Sequence, residues 1–161
     1  SAFGLAKQLG TDNKTAGEFI KRYLSRFSEL EAFMEAKKEE ARANGYVFTA
    51  FGRKCIIKGI NDKNGSIRQF AERQAINAPL QGTAADIMKI AMGKMEYALE
   101  EAGLNAKMLL QVHDELIFEV PKAELEQTSA LVKKVMEESA KGFDVPLTAE
   151  AGSGSSWAEA H

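Results

Sequence analysis

Cysteine, proline and tryptophan are scarce in this 161-residue chain: one Cys, three Pro and one Trp. A lone cysteine, Cys55, cannot close an internal disulfide, so a reducing compartment such as the cytoplasm is the expected setting. It reads as a small, half-buried apolar side chain. No apolar run exceeds three residues, which excludes a membrane-spanning helix. The chain opens without the charged-then-apolar build of a secretory signal and without an initiator Met. What is present is 45% hydrophobic and 27% charged, with 13 Gly in no fixed period. That is globular usage, and it excludes collagen, low-complexity disorder and disulfide-stapled scaffolds. The length suits one ordinary domain or two small lobes.

The net charge of -2 is unevenly spread. Residues 1–73 hold 14 Lys and Arg against 9 Asp and Glu, whereas residues 74–161 hold 7 against 14. All six arginines lie in the first part. Such asymmetry points to a nucleic-acid partner for the basic part or to a solvated acidic face on the other.

Apolar spacing predicts helix over most of residues 1–45, with Thr11 as a cap and Ala16, Phe19, Ile20, Tyr23, Leu24 and Phe27 recurring at helical spacing, an aromatic stripe that suits packing better than a platform for stacking bases. Ser28 with Glu31 fits a capping box that restarts the helix, and Asn44-Gly45 fits its stop. Residues 46–49 and 54–57 favour β-structure around a turn with Gly52, and 61–65 read as a loop. A helix is expected from about Ser66, kinked or broken near Pro79 and resuming to Ala102. Ala84, Met88, Ala91, Met95, Ala98 and Ala102 would form its buried stripe. Thr83 with Asp86 fits a second capping box, which makes Asp86 structural.

Residues 106–120 predict a stronger hairpin. Met108, Leu110 and Val112 alternate on one arm, and Leu116, Phe118 and Val120 on the other. After Pro121 a helix is expected to run to Gly142, then a last strand over 145–151, then a flexible Gly/Ser linker over 152–156. The order predicts an α+β fold, an antiparallel sheet covered by helices.

Two constellations carry chemistry. His113-Asp114-Glu115 sits at the tip of the apolar hairpin, where two adjacent carboxylates are a poor choice for packing. Asn-Gly would have closed the turn without repulsion. Paired hard oxygens suit a divalent cation such as Mg²⁺, which takes one or two carboxylates plus phosphates and waters. Short acidic turns are also common as plain surface features. The second constellation is Arg73, Asn77 and Gln81, whose steps of four place polar side chains in one row along a helix, about 6 Å apart. Such a row can meet the acceptors that every base pair shows in the minor groove, or it can be a solvated face.

The string Gln111-Val112-His113-Asp114-Glu115 between apolar arms resembles the third signature motif of DNA polymerase family A. Residues 72–86 (ERQAINAPLQGTAAD) resemble the palm helix of that family, and residues 1–9 (SAFGLAKQL) resemble the finger segment after its nucleotide-binding helix. The ending, Gly154-Ser-Ser-Trp157-Ala-Glu-Ala-His161, is similar to its closing motif. This resemblance implies partial fingers over 1–65 and a partial palm with an antiparallel sheet over 66–161. It implies Asp114 as a palm ligand of two Mg²⁺ ions, Glu115 as an accessory acid and His113 against the primer terminus. Arg73 and Gln81 would touch the minor-groove edge of primer–template DNA, with Asn77 on the template side. The reaction would be attack of a primer 3′ hydroxyl on the α-phosphate of a dNTP.

The first signature motif, with the family's other metal-binding aspartate, and the nucleotide-binding helix are not matched. The expectation is therefore a C-terminal piece of a polymerase, inactive by itself, with an exposed sheet edge that invites self-association. Two alternatives stand beside it. A non-catalytic duplex-binding or assembly module would keep the fold without the chemistry. A metal-dependent hydrolase built on His113, Asp114 and Glu115 would need a further ligand that the sequence does not offer.

Overall fold

A computed structural model describes residues 2–160. They form two compact units that divide after Leu80, inside one long helix. The elements are α1 (Ala2–Leu9), α2 (Asn13–Arg26), α3 (Ser28–Asn44), β1 (Tyr46–Phe48), β2 (Lys54–Ile56), α4 (Gly65–Glu101), β3 (Lys107–Val112), β4 (Glu115–Glu119), α5 (Leu125–Ser139) and α6 (Trp157–Ala160). The α+β expectation holds, with two separate antiparallel pairs, β1–β2 and β3–β4. Among the described residues no helix is long and apolar enough to cross a membrane.

In the first unit, α2 starts one residue later than expected. Asp12, not Thr11, is its cap. One Asp12 oxygen accepts the amides of Lys14 and Thr15, each at 2.9 Å, and the other accepts the Thr15 hydroxyl at 2.7 Å. A carboxylate can take all three donors at once, which a threonine hydroxyl cannot. These bonds, the Thr15 hydroxyl foremost, hold the Asp12 pKa below its ordinary value.

The capping box expected at Ser28 does not form. Phe27 stands between α2 and α3, donating its amide to the carbonyls of Tyr23 and Leu24, and makes no side-chain cap. Ser28 is already helical, so its hydroxyl is past the capping position. Gly45 ends α3 as expected, left-handed at φ 79° and donating to Ala41 at 2.8 Å.

Of the apolar stripe expected on α2, the aliphatic members pack inward and the aromatic ones do not. The inward row of α2 is Ala16, buried, with half-buried Ile20 and Leu24. Phe19, Tyr23 and Phe27 form the neighbouring row, and all three are exposed. A helix buries one stripe, and here the smaller residues take it.

The core of this unit gathers Ala41, Val47, Ile57, Ile60, Ala71 and Ala75, joining the end of α3, the hairpin and the start of α4. Full burial of Val47 contributes about 1.5–3 kcal/mol. Above this core Arg42 donates to Glu72 at 2.8 Å, and Asn61 Nδ2 donates to the Arg42 carbonyl at 2.9 Å. Of the kink or break expected near Pro79, the break is absent, and helix α4 continues through it. Pro79 is buried, so burial of its ring offsets the one backbone bond it deletes. With no helix start at Thr83, the second capping box does not form either, and Asp86 is a buried residue in mid-helix, 8% exposed.

In the second unit, Met88, Ala91 and Met95 are buried as expected and Ala98 is half-buried, but Ala84 and Ala102 are exposed. Leu99 completes the stripe, and Met95, Leu99 and Val135 form the core with Leu116 and Phe118 packed against it. The hairpin pairs Met108 with Phe118 and Leu110 with Ile117, leaving one extra residue, Leu109, on the first arm. That bulge reverses the alternation. Leu110 and Val112 therefore share a face with Ile117 and Glu115, away from the Met108–Phe118 face, and Leu110 is exposed.

Helix α5 ends at Ser139, short of Gly142. The strand expected over 145–151 is absent: Val145 is 70% exposed, and the Ala149 amide bonds to Glu137 Oε1 rather than to a neighbouring strand. Alternation prepares a strand, but a ladder partner makes one. Nor is 152–156 a loose linker. A Cβ on Gly152 would collide with the Ala160 carbonyl oxygen and one on Gly154 would lie 2.6 Å from Glu159 Cβ, so glycine lets the chain fold back on α6.

Candidate active site

The tip of the second hairpin is as tight as a hairpin can be. Val112 pairs with Glu115, which leaves His113 and Asp114 as a two-residue loop. His113 has φ 52° and is the only described non-glycine residue at positive φ. Positive φ at His113 followed by negative φ at Asp114 matches the signs of a II′ turn, where glycine is the relaxed choice. Histidine there costs about 1 kcal/mol. Gln111 braces the loop by donating its side-chain amide to the His113 carbonyl at 2.8 Å. Sequence reasoning gave Gln111 no role. Its signal was a polar side chain in an apolar arm, two residues before the turn.

The three predicted tip residues are thus brought together. His113 and Asp114 are exposed and Glu115, the first residue of β4, is half-buried. Among the described residues no group of three or more His, Cys, Asp or Glu side chains is arranged to hold a metal. Two consecutive carboxylates on a braced turn still fit an ion that takes only one or two protein oxygens and completes its shell with phosphates and water.

The other predicted residues share α4. Arg73, Asn77 and Gln81 are all exposed, while Ala71, Ala75 and Pro79 are buried. Two residues along a helix turn the direction by about 200°, so the polar row and the buried row lie on opposite sides of the rod. The row is therefore a solvent face with its side chains available. Arg73 also sits 5.8 Å from the centre of the Phe70 ring, which limits how far its guanidinium wanders.

Comparison with known proteins supplies the family. The family model for DNA polymerase family A matches residues 1–159. The chain belongs to DNA polymerase family A. DNA polymerase I of Pseudomonas aeruginosa is 50% identical over 161 residues, which is 100% of this chain and 18% of that protein. The thermostable DNA polymerase I of Thermus filiformis is 49% identical over 160 residues, 99% of this chain and 19% of that one. Among solved structures, the POL domain of Pol1 from M. smegmatis, in complex with DNA primer-template and dNTP, superposes with a TM-score of 0.93 at 40% identity. That likeness covers 99% of this chain and 28% of that chain. The chain thus spans less than a fifth of the length of the curated Pseudomonas relative.

Proposed function

We propose that this stretch supplies part of the fingers (1–65) and part of the palm (66–161) of a DNA-directed DNA polymerase acting in DNA replication or repair in the cytoplasm. The observation that carries the reading is the tight, strained His113-Asp114 turn, with Glu115 beside it, in a chain of family A. Asp114 and Glu115 would hold divalent ions, Mg²⁺ in this reading. When bound, such ions supply Lewis-acid activation of the primer 3′ hydroxyl and neutralise charge at the α-phosphate of the dNTP as pyrophosphate leaves.

The chain's own residues do the positioning. The two-residue turn fixes the Asp114 carboxylate at the end of two paired strands, so little freedom remains to be lost when phosphates arrive. His113, projecting from the same turn, would lie against the primer terminus. Arg73 and Gln81 donate towards minor-groove acceptors common to all base pairs, with Asn77 on the template side, so duplex is gripped without reading its sequence. The basic charge of residues 1–73 favours nearby phosphates.

In a full-length family A polymerase carrying this stretch, Asp114→Ala is expected to lower single-turnover incorporation by about a thousandfold or more while primer–template binding persists. Undiminished synthesis would overturn the reading in favour of a duplex-binding module without chemistry. With one acidic pair at this tip, the 161-residue chain by itself is expected to extend no primer; robust extension with Mg²⁺ and the four dNTPs would contradict that.

A further inference from the structure

The outward side of α2 carries a row that the polymerase reading leaves unused. Phe19, Tyr23 and Phe27 follow one another in steps of four and are 55%, 50% and 48% exposed. The rings of Tyr23 and Phe27 lie 4.9 Å apart. Arg22 and Arg26 stand three residues after Phe19 and Tyr23, which places them on the same side of the helix. Both are exposed, and among the described residues no ion pair engages either. Across α2 as a whole, Lys14, Lys21, Arg22 and Arg26 face only Glu18.

Contiguous exposed aromatics on a water-facing helix mark an interaction surface. The chemistry of this one narrows the partner. Guanidinium groups at successive turns match a chain of phosphates, and rings between them match unpaired bases, whose faces stack without regard to sequence. A paired duplex keeps its base faces inside the stack and offers the rings nothing.

We infer that the Phe19–Arg22–Tyr23–Arg26–Phe27 face of α2 binds single-stranded DNA. Bases stack on the rings while Arg22 and Arg26 pair with the phosphates. The inference rests on the polymerase reading only for the presence of an unpaired strand nearby.

The test is fluorescence anisotropy of a short labelled oligothymidine with the 161-residue chain over a range of salt. Binding is expected to weaken about tenfold in Tyr23→Ala and to be retained in Tyr23→Phe. Replacing both Arg22→Ala and Arg26→Ala is expected to flatten the salt dependence by about one unit of log–log slope per arginine. Lys133→Ala with Lys134→Ala, which removes equal charge from α5, is expected to leave binding unchanged. Circular dichroism confirms folding; if Tyr23→Ala loses helix, the arginine pair decides. Three results would overturn the proposal: no binding by the unaltered chain, equal binding by the folded variants, or self-association that Tyr23→Ala abolishes, which would assign the face to a second copy. The polymerase reading stands or falls separately, on Asp114→Ala.

Discussion

The two hairpins of this chain have similarly apolar arms and close in opposite ways. The β1–β2 turn satisfies itself. The Thr49 amide donates to the Arg53 carbonyl and the Gly52 amide to the Thr49 carbonyl, both at 3.0 Å, while Thr49 Oγ1 accepts the Arg53 amide at 3.1 Å. Its left-handed residue is Gly52, at φ 79°, where no side chain is strained. The β3–β4 turn puts a histidine in the left-handed position, follows it with two carboxylates and needs a brace from Gln111. Backbone strain and like-charge crowding persist where the surroundings hold them and a function uses them. The first hairpin is closed by its own bonds, whereas the second carries strain at His113, which fits the role proposed for Asp114.

Exchanging features between the two turns tests this contrast. The largest effect is expected from relaxing the functional tip. His113→Gly with Asp114→Asn in a full-length family A polymerase carrying this stretch should reduce incorporation about a thousandfold or more, while the melting midpoint of the 161-residue chain stays level or rises. Incorporation that survives would end the distinction between the hairpins.

Next in size is the core beneath the second hairpin. Met95 is fully buried, so Met95→Ala should cost about 2–5 kcal/mol in denaturant unfolding. Smaller and opposite in sign are the single turn exchanges. Gly52→Ala should destabilise by about 1 kcal/mol, and His113→Gly should stabilise by roughly 0.5–1 kcal/mol. Thermal melts of both variants check the signs, and two destabilisations would mean that the tip is not strained.

The smallest effect concerns Asp12, far from either turn in the sequence. Its carboxyl pKa is depressed in the folded chain, chiefly by the Thr15 hydroxyl bond. Its stabilisation is therefore fully present above the ordinary aspartate pKa and is lost as pH falls through the depressed one. Asp12→Ala should lower the melting midpoint slightly at neutral pH and leave it unchanged in strong acid, as scans at the two pH values would show.

Much of the fold was legible because local rules decided it. Asn44-Gly45 stops a helix, Gly52 closes a turn, and the apolar arms around His113-Asp114 pair in antiparallel fashion. The misses share a cause: a signal valid for an isolated segment was overruled by what lies beside it. Pro79 breaks no helix because its position is buried. Residues 145–151 form no strand because nothing pairs with them. The Leu109 bulge reverses one face of β3 and leaves no mark in the alternation. The aromatic row of α2 faces outward because smaller residues fill the inner stripe. At the candidate site, the acidic tip and the polar row could be read from residue type and spacing. The positive φ of His113 and the brace from Gln111 could not, since both are properties of a closed turn.

The central claim is that the β3–β4 tip holds divalent ions for nucleotidyl transfer. Its most direct test is Mn²⁺ titration followed by electron paramagnetic resonance. The sample is the complex of primer–template DNA and dNTP with a full-length family A polymerase carrying this stretch, with and without Asp114→Asn. The account predicts two bound ions in the unaltered complex, as a two-metal reaction requires, and a clear loss of ion binding in the variant. Equal binding in both would contradict it.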